Sequence, residues 1–171
     1  MLVINTTTFA PYKTYFLQRS IIEVAHVNKG GFMTAKLNAY LSFRDNAREA
    51  MEFYKSVFGG EVYQDTFDKF QVSEDPAENN KIMHAYLKAP SLELMAADTP
   101  NKMELKVGDN ISLSLSGGDE DEAELKGYWE KLSSSGTVTM PLEKAPWGAW
   151  FGMCVDKFGI HWMVNIGGMQ Q

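Results

Sequence analysis

Polar and apolar positions alternate strictly from Leu37 to Phe43: Leu37, Ala39, Leu41 and Phe43 are interleaved with Asn38, Tyr40 and Ser42. A period of two is the mark of a half-buried strand. Arg44-Asp45-Asn46 reads as a turn, with Asp45 or Asn46 able to cap a following helix. In that helix Ala47, Ala50, Met51, Tyr54, Val57 and Phe58 fall at i, i+3, i+4 and i+7 spacing, an apolar stripe on one side. Gly59-Gly60 ends it. Strand-like segments follow at Glu61–Phe67, Lys81–Lys88 and Leu92–Ala96, separated by the polar loop Ser73–Asn80 and a turn at Pro90-Ser91.

The same order then recurs. Ile111, Leu113 and Leu115 alternate with Asn110, Ser112, Ser114 and Ser116. Gly117-Gly118-Asp119 leads into a second helix, Glu120–Ser134, with Ala123, Leu125, Tyr128, Trp129 and Leu132 on its apolar side and Gly136 as its stop. Its acidic start, Asp119–Glu124, suits the positive end of a helix dipole. Three further strand-like pieces complete the half: Thr137–Leu142, Trp150–Val155 and Ile160–Ile166. The reading is an α+β chain of two βαβββ modules, about 37–99 and 109–167, with Pro100–Gly108 between them. Helices covering one face of each curled mixed sheet leave a concave cleft on the other, into which Asn38, Tyr40, Ser112 and Ser114 would look.

Residues 1–32 share little with this pattern. Met33 stands just before the first strand, and Lys29-Gly30-Gly31-Phe32 can be encoded by a purine-rich tract resembling a ribosome-binding site. Two readings stay open: a translated leader with the native start at Met33, or a genuine extension in which Leu17, Ile21, Val24 and Ala25 take helical spacing. The remainder, 33–171, reads as one domain.

Composition narrows the function classes. An apolar share of 44% and a charged share of 22% over 171 residues are those of a globular chain. A formal charge of -6 and a pI near 5.1 speak against nucleic acid and anionic membrane as partners. No apolar run reaches the roughly 20 residues of a membrane span, and the N-terminus lacks the layout of a signal peptide. With Cys154 alone there is no internal disulfide and no cysteine-rich zinc site. The expected address is cytoplasmic.

Three strings carry a resemblance: LNAYLSFRDNAREAMEFYKSVFGGEV, KIMHAYLKAPSLELMAADTP and PWGAWFGMCVDKFGIHWMVN. Together they resemble the PhnB-like proteins of the vicinal-oxygen-chelate superfamily, which includes glyoxalases, bleomycin-resistance proteins and extradiol dioxygenases. The last string is the most specific. The resemblance implies paired βαβββ half-barrels, often completed across a homodimer, and in metal-dependent members a divalent ion held by His and Glu side chains. Mapped residue by residue, those four places fall at Asn38, Glu93, Asn110 and Met163. Only Glu93 is a good ligand for a divalent metal; amide oxygens bind hard ions weakly, and a thioether suits copper(I). No cofactor is therefore expected, and at most a weakly held divalent metal. A methyltransferase, the label sometimes attached to such proteins, would need a Gly-rich loop after a parallel strand of a doubly wound sheet, which the sequence does not offer.

Within this frame Glu93 and His84 are the candidate catalytic groups, and Asn38, Tyr40, Ser112, Trp147, Trp150, His161 and Met163 the candidate ligand contacts. Glu93, set among Leu92, Leu94 and Met95, should face the cleft or meet a cation such as Arg44 or Lys144. Trp162 should be core, Asp156 and Gly159 should build the turn before the last strand, and Cys154 should be a buried, inert thiol. Three functions are compatible: binding of an unidentified small molecule, a lyase or isomerase working with or without metal, and a protein-interaction module with a vestigial cleft.

Overall fold

The computed structural model describes residues 36–167. The 1–32 segment and the proposed start at Met33 lie outside the described residues, and both modules belong to the compact unit that begins at Asn38.

The first module runs β1 (Ala39–Phe43), α1 (Ala47–Phe58), β2 (Glu61–Thr66), the single helical turn α2 (Phe67–Phe70), β3 (Ile82–Lys88) and β4 (Glu93–Asp98). The second runs β5 (Leu113–Gly117), α3 (Glu122–Ser134), β6 (Thr137–Lys144), β7 (Trp150–Val155) and β8 (His161–Ile166). Each module builds an open four-stranded mixed sheet, in the orders β1-β4-β3-β2 and β5-β8-β7-β6. The first and last strands of each module are parallel and the remaining pairs antiparallel. This is the expected α+β repeat.

Both first strands are shorter than the alternation alone suggests. Pairing starts at Ala39 with Leu94 and at Leu113 with Trp162, because the partner strands begin only at Glu93 and His161. Leu37 and Ile111 therefore precede the sheets and are exposed, and Asn110 sits in a bend rather than on β5.

All six residues of the predicted α1 stripe are buried. The cap of α1 comes from elsewhere than the turn. Asn46 makes no side-chain cap; instead the buried Asp98 carboxylate at the end of β4 accepts the Ala47 amide at 3.0 Å and the Ile82 amide at 2.8 Å. A carboxylate there satisfies an orphan helix amide and meets the positive end of the dipole. At the other end Lys131 of α3 donates to the Ser56 and Val57 carbonyls at 2.9 and 3.3 Å.

The modules share a core. Met51, Tyr54 and Phe58 of α1 pack with Leu132 of α3 and with Cys154 and Trp162 of the second sheet. Ring centroids of Trp162 lie 5.8 Å from Tyr54 and 5.5 Å from Phe58. Trp162 is thus the core residue its strand position implied. A smaller cluster of Leu125, Val164 and Ile166 holds α3 to β8; Ala123, on the expected apolar side, is exposed. Asp156 starts the final turn, accepting the Phe158 and Ile160 amides at 2.8 and 3.0 Å, and Gly159 supplies its positive φ of 84°. Cys154 is buried, and burial, with Asp156 nearby, pushes its thiol up to about 11.

Two glycines recur at the same place in each module. A Cβ on Gly60, just before β2, would stand 2.1 Å from the Lys88 carbonyl oxygen, and one on Gly136, just before β6, 2.1 Å from the Val155 carbonyl oxygen. No side chain fits there, so each helix returns to its sheet through a glycine.

Candidate functional site

Side chains of adjacent strand residues point to opposite faces of a sheet. Residues paired across strands share a face, so the register fixes what each sheet presents away from its helix, on its far face. In the first module one row crosses all four strands: Tyr63 pairs with Tyr86, Tyr86 with Met95, and Met95 with Tyr40. The rings of Tyr63 and Tyr86 stack at 6.4 Å. One step along β2 and β3, Asp65 faces His84. The other way, Lys88 faces Glu93, and Asn38 immediately precedes Ala39, the partner of Leu94.

Tyr40 and His84, singled out separately by sequence, meet here. The Tyr40 hydroxyl lies 3.4 Å from His84 Nδ1, and the rings stack with centroids 5.9 Å apart. Partial burial raises the pKa of the Tyr40 phenol. Glu93 takes the far face opposite Lys88, while the two suggested cations are engaged elsewhere. Arg44 donates to the carbonyls of Thr99, Pro100 and Met103 at 2.9, 2.9 and 2.8 Å, fastening the connection to the second module. Lys144 reaches the Gly148 carbonyl at 3.2 Å.

In the second module Met140, Met153, Met163 and Ser114 form one far-face row, and Glu143, Phe151, Asn165 and Ser116 the next. His161 faces Val155 on the same side, and Ser112 immediately precedes Leu113, the partner of Trp162. Trp147 is 61% exposed and meets Phe151 edge-on at 5.7 Å, which sets it at the rim of this face. Trp150 does not belong there. It shares the helix side with Gly152 and Cys154, packs against the Leu125, Val164 and Ile166 cluster, and lies under the ammonium groups of Lys126 at 3.7 Å and Lys144 at 5.2 Å. Two cations over one indole are a packing device, so Trp150 is a packing residue on the helix side rather than the ligand contact expected from the sequence.

The internal repeat also revises the metal mapping. Since Ala39 with Leu94 corresponds to Leu113 with Trp162, the repeat-related pairs are Asn38 with Ser112, Glu93 with His161, and Met95 with Met163. Asn110 has no place in this set. Among the described residues no three His, Cys, Asp or Glu side chains gather closely enough to hold a metal. One carboxylate and one imidazole on separate sheets, with amide, hydroxyl and thioether neighbours, do not fit the divalent ion of the metal-dependent relatives.

Tyr63, Tyr86 and Met95 escaped the sequence reading, although period two from His84 reaches Tyr86 and from Glu93 reaches Met95. Met140 and Met153 escaped it as well.

Residues 35–165 match the family described as 3-demethylubiquinone-9 3-methyltransferase. The chain belongs to that family. It is 36% identical to the crystal structure of protein PA1353 from Pseudomonas aeruginosa, covering 78% of this chain and 98% of that one with a TM-score of 0.66. It is 26% identical to a Bacillus cereus protein described as a putative 3-demethylubiquinone-9 3-methyltransferase, PhnB protein, over 78% of this chain and all 100% of that one, with a TM-score of 0.63. For the fold alone, a glyoxylase/bleomycin resistance protein/dioxygenase domain from Frankia sp. EAN1pec superposes with a TM-score of 0.56 at 15% identity, covering 82% and 96% of the two chains. The fold is thus the one shared with glyoxylase/bleomycin resistance/dioxygenase proteins, as the three sequence strings implied. Among the described residues no helix is long and apolar enough to cross a membrane.

Proposed function

We propose that the chain binds a small, largely apolar or planar molecule against the far faces of its sheets, without a tight divalent metal. The observation that carries this reading is the row Tyr63, Tyr86, Met95 and Tyr40 across the whole first sheet. Aromatic and thioether side chains make an adaptable wall for a flat ligand, while a few polar groups fix its orientation. Tyr40, His84, Glu93 and Asn38 supply such groups beside the first sheet, and Ser112 and His161 beside the second, where Met163 adds to the wall. Native mass spectrometry of gently purified protein tests the reading together with metal analysis: a co-purified organic mass without stoichiometric metal supports it, and a metal near one per chain opposes it.

A lyase or isomerase is the second reading, and the Tyr40–His84 contact favours it. A phenol beside an imidazole is an acid-base pair able to move a proton without a metal. Methyl transfer has no such support. A methyl donor is ordinarily bound at the crevice of a doubly wound parallel sheet, and each sheet here has a single parallel pair.

The protein also works, in this reading, as a symmetric homodimer. Tyr40, Tyr63, Val138, Met140 and Trp147 are exposed large apolar side chains on or beside the two sheets, and a second copy could cover such surface with an isologous contact. Light scattering at tens of micromolar should give twice the 19.2 kDa chain mass; a monomer alone would remove this part of the proposal.

A further inference from the structure

The far face of the second sheet carries three methionines in line, which a wall for a planar ligand does not require. Met140 on β6 pairs with Met153 on β7, and Met153 with Met163 on β8. Neighbouring strands lie about 4.8 Å apart, and each thioether sits on a chain of freely rotating bonds. The outer two sulfurs can therefore converge over the central one.

Met140 stands in this line only because β6 is irregular. From Val138 opposite Cys154, an unbroken ladder would set position 140 opposite Gly152, on the helix side. Register shifts between Val138 and Met140 and between Met140 and Glu143 intervene. They turn Met140 to Met153 and leave it 45% exposed. Bulges that re-aim one side chain are frequent beside functional sites.

Thioethers are neutral, polarisable donors. They compete poorly for hard divalent ions but suit copper(I), and silver(I) shares its charge and softness. Beside this row the Phe151 ring gives a low-polarity margin, and Glu143, opposite Phe151, puts one carboxylate near a bound monovalent charge. We propose that Met140, Met153 and Met163 form a thioether site for a soft monovalent cation, copper(I) or silver(I). The site does not depend on the small-molecule reading.

The test is a titration of the reduced, full-length chain with silver(I) in chloride-free buffer, followed through the methyl carbon resonances of its ten methionines. Three methyl signals should move together and saturate at one ion per chain. Met153→Leu, which keeps volume and apolarity, should weaken binding at least tenfold, as should the double change Met140→Leu with Met163→Leu. Met103→Leu, in the connection between modules, should change nothing. Thioethers bind without losing a proton, so the affinity should be equal at pH 7 and pH 5, whereas a site built on His161 or Cys154 would weaken on acidification. Unchanged affinity in Met153→Leu, shifts spread over other methionines, loss of binding in Cys154→Ala, or weakening at pH 5 would each overturn the proposal.

Discussion

The Tyr54 hydroxyl donates to the Asp156 carboxylate across 2.8 Å, linking the helix of the first module to the last turn of the second. The same Asp156 oxygen accepts the Trp162 indole N–H at 2.9 Å, while the other holds the two turn amides. Four donors thus converge on one buried carboxylate, and without it all four would lose their acceptor, two in the core and two in the turn. Burial first, and then the negative charge of Asp156, moves the Tyr54 phenol well above its ordinary pKa.

Tyr54→Phe removes one hydrogen bond to a charged acceptor and should cost about 1.5–3 kcal/mol. Asp156→Ala removes the acceptor of all four and should cost more, about 4 kcal/mol or beyond. Urea unfolding of both variants measures this. Equal costs for the two would show that Asp156 does not act as a shared anchor.

Glu78 is buried and its carboxyl is lowered to about 2 by the Ser73 hydroxyl, then by the Asn101 amide and by Lys81. The contacts measure 2.6, 2.7 and 3.0 Å. A depressed pKa stabilises the fold fully above the unfolded value, near 4.5, and that contribution is lost as pH falls toward 2. The melting temperature of the native chain should therefore fall more steeply between pH 5 and pH 2 than that of Glu78→Gln, and the two curves should converge. Parallel curves would contradict the assignment.

How far the sequence alone reached depends on the range of the contact. The α1 stripe, Trp162 and the Asp156 turn were legible because periodicity and turn chemistry are local properties. The cap of α1 was not, since Asp98 lies 51 residues from Ala47. Nor was the side of Trp150 or Met140. Both depend on which residue the neighbouring strand offers, and for Met140 on two bulges that break the period of two. Alternation put Tyr40 on the face away from the helix, which is where the register has it, while Asn110 falls outside β5 because its pairing starts three residues later.

The glycine pair after α1 separates two costs. Gly59 has φ of 72° and ψ of -161° with open space where a Cβ would be, so Gly59→Ala should cost only the backbone term, about 1–3 kcal/mol. Gly60, at φ of 85°, would in addition drive its Cβ into the Lys88 carbonyl, and overpacking adds about 1–3 kcal/mol. Thermal unfolding should rank Gly60→Ala clearly below Gly59→Ala. The reverse order would refute the close contact.

Added zinc, nickel or manganese at modest excess should leave the melting temperature unchanged, because a ligand stabilises only as far as it occupies the folded state. Elemental analysis should find none of them, nor iron, at one per chain. A divalent metal at that level, lost in Glu93→Ala, would move the enzyme reading ahead of simple binding.

Gly60 and Gly136 answer the same crowding in both modules, each against the carbonyl at the end of the neighbouring strand. The frame is set at these joints and on the helix sides of the sheets, while one far face displays tyrosines and the other methionines and serines. Exposed far-face positions such as Tyr63, Ser114 and Ser116 can therefore be randomised as a library without altering the instructions that fold either half. What the molecule touches can be rewritten while its shape is kept.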